Sequence, residues 1–418
     1  MIESAPAVQG RWLHRALRGA VAVAFALQVG LLVFVVLHNF LSPGAALDSD
    51  FSPSWLGGSV WRTLGPGHGY DAAAQAALYA HVAAGQGHGW MYPNTWAPGS
   101  MLLGIPLSLL SLTTAFDIWI PFQVVVLAAA AMIAATVAAP SSSAWLRVVA
   151  ASGAAVSAGA IATALFGQWD GIPALGVALA YALWSRGHEG RAALVLTVLL
   201  LSGKPHLALG LLAFAAARGS RRGLLGIAVG VVLTGAVDLA LVQAMGMRGW
   251  IDTLGQISTL SATASLSVFG LMANTVGGSV AEGVAVVGAA ALLVGGGVFG
   301  WLSSRGARLP VCLLGATCAS LLVSPHLFSQ DLALLIPVVA ALLSLALARA
   351  RYDHFVVTLG AFSALSLAAE YQILPLGSLR ADPFVPVVLL ALVAWAWRAA
   401  TLRSPATATR DAPVLRHT

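Results

Sequence analysis

The chain has 418 residues, of which 59% are hydrophobic and only 9% charged, with a formal net charge of +6 and a mean hydropathy of +0.88. A soluble domain carries roughly 25% charged residues, so this composition excludes a soluble protein and specifies a polytopic membrane protein. Continuous apolar runs such as AVAVAFALQVGLLVFVVL specify helices, because the strands of a membrane barrel alternate apolar and polar residues. The positive charge is not a nucleic-acid footprint. The arginines fall in short polar gaps (Arg11, Arg15 and Arg18; Arg218, Arg221 and Arg222; Arg349 and Arg351; Arg398 and Arg403), as expected of cytoplasmic loops.

In chain order, a basic N-terminus (residues 1–17) precedes a first span from about Arg18 to Leu41. Its apolar run is too long for a signal peptide and lacks a small-residue cleavage site, so it reads as an anchored helix. Residues 42–97 form the longest stretch of low hydrophobicity and lie outside by that orientation. Two amphipathic pieces within it, FSPSWLGGSVWRTLG and DAAAQAALYAHVAAGQ, flank a turn at GPGHG. They are expected to rest on the outer leaflet with Trp55, Trp61 and Tyr79 at headgroup level.

Eleven further apolar segments follow, near 98–115, 117–139, 145–165, 170–184, 192–215, 223–244, 284–302, 309–324, 331–348, 354–369 and 384–400. With the first they make about twelve, taking roughly 20 residues per span. Simple alternation puts the basic loops SRGHEGR (185–191) and ARGSRRG (216–222) on opposite sides. A re-entrant pair over 192–215, broken at Lys204-Pro205, would put both inside, since proline breaks a helix and frees a carbonyl. It also calls for a second irregular segment upstream, such as 98–115. Residues 18–403 thus form one membrane domain, with a short polar tail over 404–418.

Polar islands interrupt this apolar chain. LDSDFSPSW supplies Asp48 and Asp50, GQWDG supplies Gln168 and Asp170, and SPHLFSQDL supplies His326, Gln330 and Asp331. WMYPNTW holds Tyr92, and GKPH holds Lys204 and His206. Lys204 is the only lysine in the chain. A cation among lipid-facing residues costs roughly 2.5–3.5 kcal/mol, so an anion should compensate it, either a ligand or a structural partner such as Asp170 or Asp331; snorkelling to an interface is a third reading. Asp50, Asp170 and Asp331 each stand where a helix begins, and N-capping is their plainest role. Capping leaves Gln168 and Gln330 unexplained, and polar groups at several helix ends more often line a cavity than face lipid. Asp238 lies mid-helix with no evident partner, and Cys312 and Cys318 read as buried thiols. No metal-ligand spacing, phosphate-binding loop or dinucleotide motif is present, so neither metal nor cofactor is expected.

Five stretches together resemble glycosyltransferase family 87, membrane enzymes of the GT-C fold that use polyprenyl-phosphate sugars. DFSPSWLGGSVWRTLGPGHGYD resembles the family's Asp-Phe loop, and YPNTWAPGSMLLGIPLSLL its Tyr-Pro-Pro segment, with Asn94 in place of the second proline. GQWDGIPALGVALAYALWSRG, LVLTVLLLSGKPHLALGLLAF and SPHLFSQDLALLIP are similar to its Gly-Gln, Lys-Pro and late Ser-Pro segments. The late segment lacks the histidine pair of the mycobacterial branch. The resemblance implies an all-α GT-C fold in the bacterial cytoplasmic membrane, acting as a monomer with its site facing outward. It implies transfer of a sugar, mannose or arabinose, from a polyprenyl-phosphate donor to a lipid or glycan acceptor, with inversion. Asp50 would be the base; Lys204, His206 and Arg62 or Arg380 would hold the donor phosphate. Tyr92, Gln168, Asp170, His326, Gln330 and Asp331 would line the substrate site, with membrane lipids as the remaining partners. A lipid-linked-sugar flippase or transporter is the competing class, since it too uses broken helices and intramembrane charges; a non-catalytic scaffold is a third.

Overall fold

The computed structural model describes residues 6–42, 44–84, 94, 96–257, 265–371 and 383–402. Eighteen α-helices and short 3₁₀ turns account for the secondary structure of the described residues. The chain enters through α1 (Pro6–Leu41) and passes two short helices, α2 (Ser52–Leu64) and α3 (Ala72–Val82). A 3₁₀ turn over Pro98–Ser100 runs into α4 (Met101–Leu107), followed by the long α5 (Leu112–Ala138). Then come α6 (Ala144–Ala155) and α7 (Ala158–Phe166), bent by 61° at their junction, α8 (Gly171–Trp184), α9 (Glu189–Gly203) and α10 (Leu209–Ala217). The second half holds α11 (Arg221–Met245), α12 (Met247–Ile257), α13 (Val268–Thr275), α14 (Gly278–Ser304), α15 (Leu309–Val323), α16 (Ile336–Ala348), α17 (Tyr352–Tyr371) and α18 (Phe384–Thr401).

Among the described residues, seven helices are long and apolar enough to cross a membrane, or eight if α6 and α7 form one bent span. That is fewer than the twelve expected from hydropathy. Pro98–Leu107, Gly171–Trp184 and Leu309–Val323 are apolar but shorter than the usual crossing length. α15 and α16 are apolar on all sides and buried nearly throughout, so they form the centre. α1, α11 and α14 face outward over most of their surface.

The segment at 192–215 is re-entrant. α9 stops at Gly203, Pro205–Leu207 makes one 3₁₀ turn, and α10 begins at Leu209. Glu189 at the start of α9 and Arg218 just after α10 meet as a bidentate pair, Nη2 to Oε1 at 2.6 Å and Nε to Oε2 at 3.0 Å. Both ends therefore lie at one level, which puts the two basic loops on the same side. Fifteen residues of α9 at 1.5 Å each lift the tip, Lys204, about 22 Å from that base.

The loop after α1 places its aromatic side chains differently from expectation, since Trp55 and Tyr79, expected at headgroup level, are buried. α2 packs against protein over most of its length: Ser52 to Val60 are all buried, and the Trp55 indole donates to the Leu110 carbonyl at 3.0 Å. Gly57 and Gly58 permit this, because a Cβ on either would lie 2.8 Å from Asn94 or from the Gly104 carbonyl. α2 thus packs against α4 inside the protein.

Gly159 of α7 lets the strand of chain that carries Asp331 approach closely, since a Cβ there would fall 2.2 Å from the Ala333 nitrogen. Gly159→Val should therefore destabilise the protein by roughly 1–3 kcal/mol, read as a lower unfolding temperature in detergent. Gly235→Ala, with nothing within 4 Å of the new carbon, should leave that temperature unchanged or raise it.

Candidate active site

Three segments far apart in sequence converge on one ammonium. Lys204 Nζ at the hairpin tip donates to Asp170 Oδ2 at 2.9 Å and to Asp331 Oδ1 at 2.6 Å. All three side chains are sealed from solvent, at 0% exposure for Asp170, 1% for Asp331 and 3% for Lys204. The second oxygen of Asp331 accepts the Phe328 N–H at 2.8 Å, which closes the start of the 3₁₀ segment Ser329–Leu335. Asp170 precedes α8 but does not cap it. Gln123 of α5 does so instead, its Oε1 accepting the Gly171 N–H at 2.9 Å.

This geometry is the one the structural-partner reading of Lys204 describes, with Asp170 and Asp331 as the compensating anions. Its ammonium is already engaged by two carboxylates and faces the Trp96 ring, 5.7 Å from the ring centre. Releasing it would leave two buried carboxylates without a counter-charge.

Asp50 adjoins this triad. Its carboxylate accepts from Gln168 Nε2 and feels the field of Lys204. Its backbone is pinned from both sides: the N–H donates to the Phe166 carbonyl at 2.8 Å, and the carbonyl accepts the Trp96 indole N–H at 3.1 Å. Capping of α2 is overturned as its role, because Phe51 stands at the N-cap without a side-chain bond. Ser49 and Ser52 donate backward to carbonyls at 46, 47 and 49. Burial raises the Asp50 pKa above the ordinary carboxylate range, opposed by the Gln168 hydrogen bond and the Lys204 charge. Asp50 itself is only partly covered, unlike the triad.

Gly167 sets the turn that delivers Gln168, Trp169 and Asp170. Its φ of +67° ends α7 in the left-handed region. The Trp119 indole donates to its carbonyl at 2.9 Å. Trp119, Trp169 and Trp96 then form an aromatic wall, with ring centres 4.4 Å and 6.2 Å apart, and Phe51 stacks on Trp119 at 5.7 Å.

His206 and His326 are both partly exposed and lie within electrostatic reach of each other and of Asp331. Gln330 is buried beside Asp331 in the chain, without a side-chain hydrogen bond among the described residues. Arg62 is not brought into this cluster. It lies near the far end of α2, about 15 Å along the helix from Ser52, and donates to the Ser108 carbonyl. Tyr92 and Arg380 lie outside the described residues. Asp238 sits on the face of α11 shared with Thr234, Val242 and Met245, opposite the Gly99 N–H and near Tyr70.

Reading the sequence by charge missed Trp96, Trp119, Trp169 and Gln123. Two of these tryptophans lie inside stretches singled out for other residues, and Gln123 is a polar side chain within an apolar span.

If the triad is structural, Lys204→Met should cost roughly 3–5 kcal/mol, the expense of leaving buried charges unpaired. Asp170→Asn with Asp331→Asn in the same chain should recover much of the loss, measured as unfolding temperature in detergent.

The family model described as Glycosyltransferase family 87 matches residues 90–325. The match covers Gln168, Asp170, Lys204 and His206, and it begins after Asp50 and ends before His326 and Asp331. No curated protein and no solved structure matches the chain. With a multi-pass helical fold and a buried charge centre, and with more than half its length matched, this chain belongs to glycosyltransferase family 87.

Proposed function

We propose that this glycosyltransferase takes a sugar, mannose first among the candidates, from a polyprenyl-phosphate donor and transfers it to a hydroxyl of a lipid or glycan acceptor. It works as a monomer, at the outer face of a bacterial cytoplasmic membrane. The observation that supports this reading is the setting of Asp50: a partly open carboxylate, hydrogen-bonded to Gln168, beside a sealed ion triad at the tip of a re-entrant hairpin. Family membership sets aside the flippase and scaffold readings.

The chemistry follows from these groups. Asp50 takes the proton of the acceptor hydroxyl as its oxygen forms a bond to the anomeric carbon. The bond from that carbon to the phosphate oxygen breaks, and polyprenyl phosphate departs. One carboxylate and one displacement give inversion. His206 and His326, rather than Lys204, are the partly exposed donors beside the triad, and they stabilise the leaving phosphate. Lys204 positions: it locks the segments that carry Gln168, His206 and His326. Trp96, the partly exposed ring of the three, suits a sugar face or an isoprenoid chain, because both present C–H-rich surface to a ring, and the buried Trp119 and Trp169 pack behind it.

Asp50→Asn should lower turnover by about 10²–10⁴-fold while leaving folding and donor binding intact, measured with purified protein, polyprenyl-phosphate mannose or arabinose, and a crude lipid extract. Near-normal turnover would remove Asp50 as the base. Asp50 must be ionised to act, so activity falls as pH drops through its raised pKa. Gln168 favours the ionised form. Gln168→Leu should therefore move the acid limb of kcat/KM to higher pH; an unmoved limb would separate the measured base from Asp50.

A further inference from the structure

At the arginine-rich end of the bundle, opposite the hairpin tip, a cavity of about 510 Å³ opens between α15, α16, α17 and α18. Its rim carries Arg308, Arg349, Arg351 and His354, and Trp395 stands at its side. Nothing in the proposed reaction uses these residues.

Three features mark it as more than a basic loop. None of the three arginines has an ion-pair partner among the described residues, whereas Arg18 and Arg218 each have one. The cavity has no carboxylate in its lining, and its floor is apolar, with Leu342 and Leu345 among the wall residues. Ala350, between two of the arginines, is the single non-glycine residue among those described with a positive φ, +52°. L-residues adopt that conformation at a cost and where the surroundings impose it. Here the turn sets both flanking arginines on one cavity.

Three guanidiniums over an apolar floor are a phosphate-bearing headgroup with hydrocarbon beneath it, written in negative. The charge bias of the loops makes this the inner membrane face. Trp395 is about half exposed, at 48%, in the belt where aromatic rings meet headgroups. Arginine forks match phosphate oxygens in pairs, and basic pockets between membrane helices on this side hold anionic headgroups. The volume falls within the roughly 300–1,000 Å³ of ligand pockets. From this we infer that the cavity is a binding site for an anionic phospholipid of the inner leaflet. The headgroup phosphate engages Arg308, Arg349 and Arg351, and the first acyl carbons lie against Leu342 and Leu345. Bound lipid ties together the inner ends of α15 to α18.

The test is native mass spectrometry of the purified full chain, delipidated in mild detergent, with phosphatidylglycerol, phosphatidylcholine or inorganic phosphate added. Phosphatidylglycerol should bind at least about tenfold more tightly than phosphatidylcholine, on the scale expected of several arginines at a surface, and millimolar inorganic phosphate should not displace it. R308Q/R349Q/R351Q should abolish the preference. Since removing three charges could also disturb insertion, Ala399→Trp provides a second arm: it fills the cavity and keeps every arginine, and it should reduce lipid retention by a similar factor. Equal binding of the two lipids to the unaltered protein would overturn the inference. So would an unchanged preference in the Ala399→Trp variant. Displacement by inorganic phosphate alone would make this a free-anion site and overturn the lipid assignment.

Discussion

A single ammonium held between two buried carboxylates is the constraint on which the site depends. Lys204, Asp170 and Asp331 come from the hairpin tip, the start of α8 and the 3₁₀ turn before α16. Charges sealed from water are tolerated when geometry and further hydrogen bonds compensate their desolvation. Here each carboxylate meets the ammonium, and Asp331 also closes its own turn through the Phe328 N–H. The cluster does little for stability that apolar residues could not do. What it adds is registration, since three elements meet at one point in one arrangement.

That registration reaches the groups proposed to act on the substrate through short lengths of chain. Gln168 lies two residues before Asp170 and holds the Asp50 carboxylate. His206 lies two residues after Lys204, and His326 five before Asp331. Trp96 links the two levels, with its ring over the ammonium and its N–H on the Asp50 backbone. The hairpin is pinned at its base by Glu189 and Arg218, so the tip is held at fixed depth. Asp50 stands just before α2, whose two adjacent glycines let that helix pack closely on α4.

Much of this was legible in the residues. A lone lysine followed by proline inside an apolar run signalled both a broken helix and a compensating anion, and two basic loops on either side signalled a hairpin. The nature of the anion was not legible, because a bound phosphate and a pair of distant aspartates leave the same trace around Lys204. For Asp170 the residues left both a cap and a partner for Lys204 open, and only packing reveals that Gln123 bonds the Gly171 N–H while Asp170 meets the ammonium. The amphipathic pattern of α2 is the same whether its apolar face meets lipid or protein. Gly57 and Gly58 were the signal for protein, since adjacent small residues serve close helix packing. Among the described residues fewer helices reach spanning length than the apolar segments counted, because α8 and α15 are apolar yet short and the 192–215 segment turns back on itself.

The account rests on the ammonium staying with its aspartates while the histidines meet the donor. Cryo-electron microscopy of the protein with a short polyprenyl-phosphate mannose analogue tests this directly. The expected density has the phosphate at His206 and His326, Asp50 on the opposite side of the anomeric carbon, and Lys204 still bridging Asp170 and Asp331. A phosphate seated on Lys204, with either aspartate swung away, or a donor bound at the Arg62 end of α2, would contradict it.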